Sequence, residues 1–230
     1  QSGGGVPCSP KSYARRVTTL KVFFKWLHES KITATDPARQ VPQYSVSAPL
    51  PTILRDDEVD RLLDETARRR FSDKAPDARP ELLVRLLLDT GIKKGECTNI
   101  RPDDIRRVGP GAPLLFVRRR TARDVYKERK IPLNPDWLEV LDEYVEQYKL
   151  PDRIFNCTAR NLEYVLADLA EAAGIPSVSF EMLRWTCAVR DHREGMPHEE
   201  LREKLGLSRT SWRETGAKIE RLTAMQQQGI

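Results

Sequence analysis

The sequence predicts a mainly α-helical chain with a small antiparallel β-sheet, an α+β fold in two parts of unequal size. Apolar residues recur at helical spacing in most long segments, and two short β-type runs flank a polar hairpin. A proline- and serine-rich stretch from Val41 to Pro51 has no periodicity and is predicted as a linker. We therefore place a small helical part with its linker in residues 1–48 and a larger domain in residues 49–230.

The first helix is predicted from about Ser9 to Glu29. Ser9 suits an N-cap and Pro10 the first helical position, and an apolar stripe follows at Tyr13, Val17, Leu20, Phe24 and Leu27. No acidic residue lies between Ser9 and Leu27, whereas a merely solvated helix usually mixes both signs. This basic face is interpreted as DNA-facing, through Lys11, Arg15, Arg16 and Lys25.

Two helices are predicted next, separated by a loop. The first follows Leu54 and opens on acidic residues, which suit the positive end of a helix. The segment Ala67–Arg79 is predicted as a loop or a frayed turn, because prolines occur around its end at Pro76 and Pro80. A buried helix built on the leucines of residues 82–88 then stops at Gly91.

A basic hairpin is predicted between the strands Leu114–Val117 and Lys130–Leu133. From Arg118 to Lys130 there are seven basic residues against two acidic ones, a composition that favours phosphate contact. The candidate contacts are Arg118, Arg119, Arg120, Arg123 and Lys127. Amphipathic helices are expected afterwards around Trp137–Tyr148 and Leu162–Leu169.

Charge and composition limit the kind of partner. The chain has 39 Lys and Arg against 34 Asp and Glu, a net charge of +5, and this excess is collected in patches. Clustered positive charge favours a protein that binds a polyanion such as duplex DNA over a basic protein whose charge serves only solubility. Four scattered cysteines and three histidines show no ligand spacing, so neither a metal nor another cofactor is expected, nor a small-molecule substrate. Without a membrane-length apolar run or a signal peptide, we expect a cytoplasmic, nucleoid-associated protein.

A stretch after residue 178 keeps the order Ser-x-x-x-Leu-Arg-x-Thr-x-Ala, with Ser179, Leu183, Arg184, Thr186 and Ala188. It resembles the second conserved box of the tyrosine recombinase and phage integrase family, Ser-x-His-x-Leu-Arg-His-Thr-x-Ala. The resemblance implies that Arg184 is directed at a phosphate. Glu181 stands where the family has a catalytic His or Lys, and Trp185 stands where it usually has a second His.

Residues 90–105 resemble the first box of the same family, through Thr90, Gly91, Glu96, Asp104 and Ile105. Lys93 occupies the place of the first catalytic arginine. A lysine keeps the charge but loses the planar fork that holds two phosphate oxygens at once. The resemblance therefore implies that DNA contact through Lys93 survives while transition-state stabilisation suffers.

The remaining catalytic positions of the family are also changed. Counting back from Lys127-Glu128-Arg129 puts Asp124 near the place of the general-acid lysine, and Arg120, Arg123 or Lys127 could reach that place instead, although an arginine is a poor proton donor. In Leu205-Gly206-Leu207-Ser208, which is similar to the family's Leu-Gly-His-Ser turn, Leu207 replaces the His or Trp that supports the phosphate. The nucleophilic tyrosine would fall at Gly216, and no tyrosine follows Tyr164. Of six catalytic positions, only Arg184 is unchanged.

The resemblance implies an integrase-type catalytic domain preceded by the last part of a helical core-binding domain, because Phe24–Leu27 and Asp36–Ala38 are similar to that domain's end. We predict a duplex DNA-binding protein that does not cut DNA, acting as a repressor, accessory or architectural factor. The alternative is a recombinase whose nucleophile comes from elsewhere, such as a partner chain. A protein-interaction module that has lost DNA binding is disfavoured by the basic hairpin and helix.

Two finer expectations concern the pocket and the C-terminus. Glu181 is expected beside Lys93 and Arg184, where it could form an ion pair with either. Ile219, Leu222 and Met225 suggest a short C-terminal helix, with Gly216 as a flexible joint before it. Such a helix could dock on a neighbouring copy on DNA or fold back on its own core, and the sequence leaves both arrangements open.

Overall fold

The computed structural model describes residues 8–43, 49–107, 112–118, 128–149 and 152–227. The chain divides into two compact units, Gln1–Leu50 and Pro51–Ile230. The helices in the described residues are α1 (Pro10–Glu29), α2 (Asp56–Arg70), α3 (Arg79–Thr90), α4 (Lys94–Cys97), α5 (Pro135–Tyr148), α6 (Ala159–Ala172), α7 (Phe180–Arg193), α8 (His198–Lys204) and α9 (Arg209–Gln227). The strands are β1 (Ile105–Arg106), β2 (Leu114–Val117) and β3 (Arg129–Pro132). The predicted α+β class is confirmed.

Helix α1 has the predicted bounds, and Ser9 caps it by accepting a hydrogen bond from the Ser12 backbone N–H at 3.2 Å. The apolar stripe of this helix is not buried for most of its length. Val17 is buried, but Tyr13 and Leu20 are 55% and 52% exposed. Helical spacing identifies a face, and burial of that face requires a second element. In the described part of the first unit, only turns follow α1.

Helix α3 is the centre of the second unit. Its leucines are fully buried, and it packs against α2, α5, α6 and α7. As predicted, the helix ends at Gly91, whose φ of +56° lies in the left-handed region. A Cβ at this position would also lie 3.0 Å from Leu205 Cδ2 and 3.2 Å from Cys187 Sγ, so glycine is required for two reasons.

Helix α2 continues to Arg70 and α3 begins at Arg79, so the loop or frayed turn predicted for Ala67–Arg79 is wrong in its first four residues and in its last one. The carboxylate of Glu65 is buried and accepts hydrogen bonds from the guanidinium groups of Arg68 and Arg69. These contacts one turn apart stabilise the end of the helix and neutralise the buried charge. The positions of prolines in the sequence do not show that Glu65 forms these contacts.

The sheet is antiparallel in the order β1-β2-β3. The two predicted strands are confirmed, with β3 beginning one residue early at Arg129. Leu115 of β2 pairs with Ile131 of β3 and with Ile105 of β1. Strand β1 was not predicted, because two residues carry no periodicity and become a strand only when a partner is present.

Helix α9 packs on α7 and is longer than the predicted C-terminal helix. Ile219 and Leu222 are buried, whereas Met225 is 39% exposed. The prediction of a flexible joint at Gly216 is wrong, because Gly216 is buried inside the helix. A Cβ at Gly216 would lie 3.1 Å from Trp212 Cε2, so the absent side chain makes room for the indole ring.

Candidate functional site

A cavity of about 540 Å³ lies between the start of α4, the first half of α7 and the turn joining α8 to α9. The structure brings together four of the predicted catalytic positions on its wall, and the full lining is Lys93, Lys94, Glu163, Ser179, Phe180, Glu181, Arg184, Trp185, Ala188, Leu205, Leu207 and Thr215. These residues come from distant parts of the sequence. The cavity is therefore a product of the tertiary fold.

Arg184 is held in the wall of this cavity by two backbone carbonyls. Ser179 caps α7 by accepting from the Met182 backbone N–H at 3.2 Å, and the buried face of the helix leaves Arg184 beside the cavity. Its guanidinium donates from Nη1 to the carbonyl of Gly91 and from Nη2 to that of Leu205, at 2.7 Å for the latter. Arg184 thus links the two turns that enclose the cavity.

Burial lowers the pKa of the Arg184 guanidinium to about 10, and the nearby carboxylate of Glu96 opposes that effect. A pKa of about 10 leaves the group cationic at neutral pH. Arg184 therefore gives the cavity wall a positive charge that is held in place, although two of the guanidinium N–H donors already have acceptors in the chain.

Glu181 forms no ion pair with Arg184 in the described part of the chain, contrary to one of the two pairings expected. Its carboxylate is exposed and lies 3.5 Å from the indole Nε1 of Trp185, one helical turn away. Lys93 is also exposed, and its backbone N–H donates to Glu96 Oε2 at 2.8 Å. The rim of the cavity thus carries both signs of charge.

A buried ion pair joins β3 to α4. Arg129 of β3 donates to the carboxylate of Glu96 in α4, at 2.9 Å from Nη2 and 3.1 Å from Nη1, and its Nε donates to the Lys204 carbonyl at 2.6 Å. Sequence reasoning matched Glu96 to a box but missed Arg129, although Arg129 directly follows Lys127-Glu128 in a matched motif. An arginine within a basic run looks like a surface charge until its partner is known.

Position 216 lies beside the cavity but does not line it. Thr215 lines the wall, whereas Gly216 faces Trp212 inside the α7–α9 packing. The hydrophobic Leu207, in the turn between α8 and α9, also lines the wall. The described wall therefore holds the hydroxyls of Ser179 and Thr215 and no imidazole.

Apart from Lys93 and Arg184, which line the cavity, the predicted DNA-binding residues fall into three groups. Lys11, Arg15, Arg16 and Lys25 are exposed on α1. Arg118 is 61% exposed, and its Nε lies 2.8 Å from Asp104 Oδ1. The third group, which comprises Arg119, Arg120, Arg123 and Lys127, lies outside the described residues, as does the predicted catalytic position Asp124. DNA contact by the hairpin thus stays a prediction.

Residues 52–212, more than half of the chain, match the phage integrase family. The chain belongs to this family. It is 25% identical over 206 residues to tyrosine recombinase XerC of Erythrobacter litoralis, covering 86% of this chain and 65% of that protein. It is 29% identical over 140 residues to XerD of Listeria innocua, covering 60% of this chain and 43% of that one. The chain therefore spans less than two thirds of the length of these relatives.

Solved structures support the same fold for this family member. A crystal structure of XerH recombinase bound to a palindromic difH substrate matches with a TM-score of 0.67 at 20% identity, covering 86% of this chain and 62% of that one. A lambda integrase dimer bound to a COC' core site matches with a TM-score of 0.61 at 18% identity, covering 86% and 70%. None of the helices described for this integrase-family chain is long and apolar enough to span a membrane.

Proposed function

We propose that this chain binds duplex DNA without cutting it, as a repressor, accessory or architectural factor. The observation that carries the proposal is the wall of the cavity at the positions that the family uses for catalysis. Arg184 is retained there, but Glu181, Leu207 and the buried Gly216 replace the His or Lys, the His or Trp, and the nucleophilic tyrosine. The charge that attracts a phosphate remains, and the groups that break its ester bond are replaced.

Electrostatics supports the loss of chemistry at this cavity. Strand cleavage needs an attacking oxygen in line with a phosphate whose developing charge is neutralised by fixed donors. The carboxylate of Glu181 lies on the same wall and has the same sign of charge as a phosphate. At a separation of a few ångströms, the repulsion between the two costs on the order of 1–4 kcal/mol. Lys93 contributes a point charge without the bidentate geometry of an arginine. Together these changes favour holding a phosphate over activating it.

The exposed cations support DNA as the partner. Lys11, Arg15, Arg16 and Lys25 on α1 and Arg118 after β2 provide positive charge on both units. Contacts of this kind neutralise phosphates and release counterions, which gives affinity without sequence preference. Arg119, Arg120, Arg123 and Lys127 belong to the same proposed surface.

The proposal includes three finer points. Residues 1–48 are assigned to the last part of a core-binding domain and its linker, and residues 49–230 to the catalytic-domain fold. The protein acts in the cytoplasm at the nucleoid. Copies associate on DNA through the C-terminal tail; because α9 buries Ile219 and Leu222 on its own unit, we expect the exposed residues of the tail to make that contact.

A second function is favoured by one specific observation, the hydroxyl of Thr215 on the cavity wall. A recombinase could use this hydroxyl, or a tyrosine supplied by a partner chain, as its nucleophile. Of these two candidate nucleophiles, the Thr215 hydroxyl is the one that a substitution in this chain can test. Replacing it with valine removes the hydroxyl and keeps the shape of the side chain.

Two measurements test the proposed function. Fluorescence anisotropy with a labelled duplex at two salt concentrations is expected to show binding that weakens steeply as salt rises. Incubation with a nicked duplex, followed by denaturing electrophoresis, is expected to show no protein covalently attached to DNA. A covalent adduct that disappears in Thr215→Val would establish the second function instead, and the absence of binding at low salt would remove both.

A further inference from the structure

The histidines His192 and His198 are brought together by the bend between α7 and α8. His192 lies in the last turn of α7 and His198 is the first residue of α8. Six residues apart in sequence, they show no helical ligand spacing, and the sequence therefore predicts no metal site. In the structure their Nε2 atoms are 3.3 Å apart. Two nitrogen lone pairs at this distance repel unless a proton or a cation lies between them.

Three contacts orient the pair toward a common point. His192 Nδ1 lies 3.0 Å from Thr223 Oγ1 of α9, and donation of the Nδ1 proton there leaves the Nε2 lone pair available. Glu220 of α9 places Oε1 3.6 Å from His198 Nε2. The indole of Trp212 packs edge-on against the His198 ring, with centroids 5.8 Å apart. All three contacting residues belong to α9, so the last helix positions both rings.

The distances suit a transition-metal dication. Zinc binds imidazole nitrogen at about 2.0–2.1 Å, which puts two nitrogens of a tetrahedral site about 3.3–3.4 Å apart. A metal-bound histidine usually donates its other ring N–H to a second group, as the Thr223 contact would provide. No three His, Cys, Asp or Glu side chains within the described residues already surround one point as ligands. The third ligand requires rotation of Glu220, whose side chain is 55% exposed.

We propose that His192 and His198, with Glu220 as the third ligand, bind a zinc-class divalent cation that joins α9 to the α7–α8 bend. The ligand set of two imidazoles and one carboxylate is of the kind that zinc accepts, with a water completing the tetrahedron. The binding would stabilise the attachment of the last helix. This proposal does not depend on whether the chain cuts DNA.

The test is titration of the untagged chain, stripped with a chelator, with Zn²⁺ and Co²⁺. We expect one Zn²⁺ per chain by calorimetry, a higher melting temperature with Zn²⁺, and a Co²⁺ absorption spectrum of tetrahedral type. His198→Ala and His192→Asn should each lower Zn²⁺ affinity at least about tenfold, since each removes a ligand. Asn at 192 keeps a polar group near Thr223, which protects the fold. Glu220→Gln should lower affinity about tenfold.

The matched control is His28→Ala, because His28 of α1 is the one other histidine in the sequence. It should bind Zn²⁺ as the unaltered chain does, and circular dichroism should show that all variants are folded. The proposal is overturned if Zn²⁺ leaves the melting temperature unchanged, or if His198→Ala binds with full affinity. An equal loss in His28→Ala would also overturn it, since binding would then be nonspecific. In any of these cases the two imidazoles share a proton and form an ordinary hydrogen bond.

Discussion

Gly206 leaves the space that the guanidinium of Arg129 occupies. A Cβ built on Gly206 would lie 2.7 Å from Arg129 Nη1, and the glycine itself has a φ of +61°, in the left-handed region. Arg129 in turn donates to Glu96 and to the Lys204 carbonyl. The turn between α8 and α9 and the arginine of β3 therefore depend on each other.

Gly206→Ala should be strongly destabilising. A left-handed alanine costs about 1–2 kcal/mol, and the clash with a buried guanidinium adds about 1–3 kcal/mol. Gly195→Ala is the matched control, because Gly195 also has a positive φ, of 91°, but a Cβ there meets nothing within 4 Å. Urea unfolding of both variants separates backbone strain from the clash. Equal losses in the two would show that Arg129 moves aside at no cost.

Arg129→Met should lower the free energy of unfolding by about 3–5 kcal/mol, because it leaves a buried carboxylate without that partner. The side chains of Arg129 and Glu96 are 7% and 3% exposed. Arg107→Met is the control, since the ion pair of Arg107 with Asp142 is 42% and 57% exposed and should contribute about 0–1 kcal/mol. Urea unfolding measures both variants. A decrease near that of the control would mean that Glu96 is compensated without Arg129.

Ile219→Ala should cost about 2–5 kcal/mol, because Ile219 is 1% exposed where α9 packs on its own unit. Met225→Ala, at a residue 39% exposed, should change stability by about 0.5 kcal/mol or less. Deleting Ala217–Ile230 should accordingly lower the melting temperature by several degrees. A deletion that keeps the melting temperature but abolishes cooperative binding to multi-site DNA would instead mean that α9 belongs to a neighbouring copy in solution.

Replacing Arg118, Arg120 and Arg123 together by Ala should lower the slope of log affinity for duplex DNA against log salt by about 2–3 units, near 0.9 for each phosphate that is no longer neutralised. The control removes the same charge from α2 and its N-cap, where Arg55, Arg61 and Arg68 already pair with carboxylates of that helix. It should leave the slope nearly unchanged. Equal slopes for the hairpin variant and the unaltered chain would exclude the hairpin from the interface.

Local patterns predicted the elements that depend on neighbours in sequence. The bounds of α1, the end of α3 at Gly91 and the strands β2 and β3 follow from caps, left-handed glycine and alternation. The failures are elements that depend on distant residues or on burial. Strand β1 forms because Ile105 pairs with Leu115 of β2. The last turn of α2 is stabilised because its arginines donate hydrogen bonds to the buried carboxylate of Glu65.

The order of the matched boxes determined the family, and with it the expectation that Lys93, Glu181 and Arg184 lie close together. The spacing of residues in the sequence does not show which hydrogen-bond donors of a side chain are already bonded to other groups of the chain. Only the tertiary structure decided that Arg184 is bonded to the Gly91 and Leu205 carbonyls and that Gly216 is buried. It also decided that two histidines six residues apart meet at a bend. The physical reason is the same throughout: side-chain type is local information, whereas burial and partners are set by which distant segments pack together.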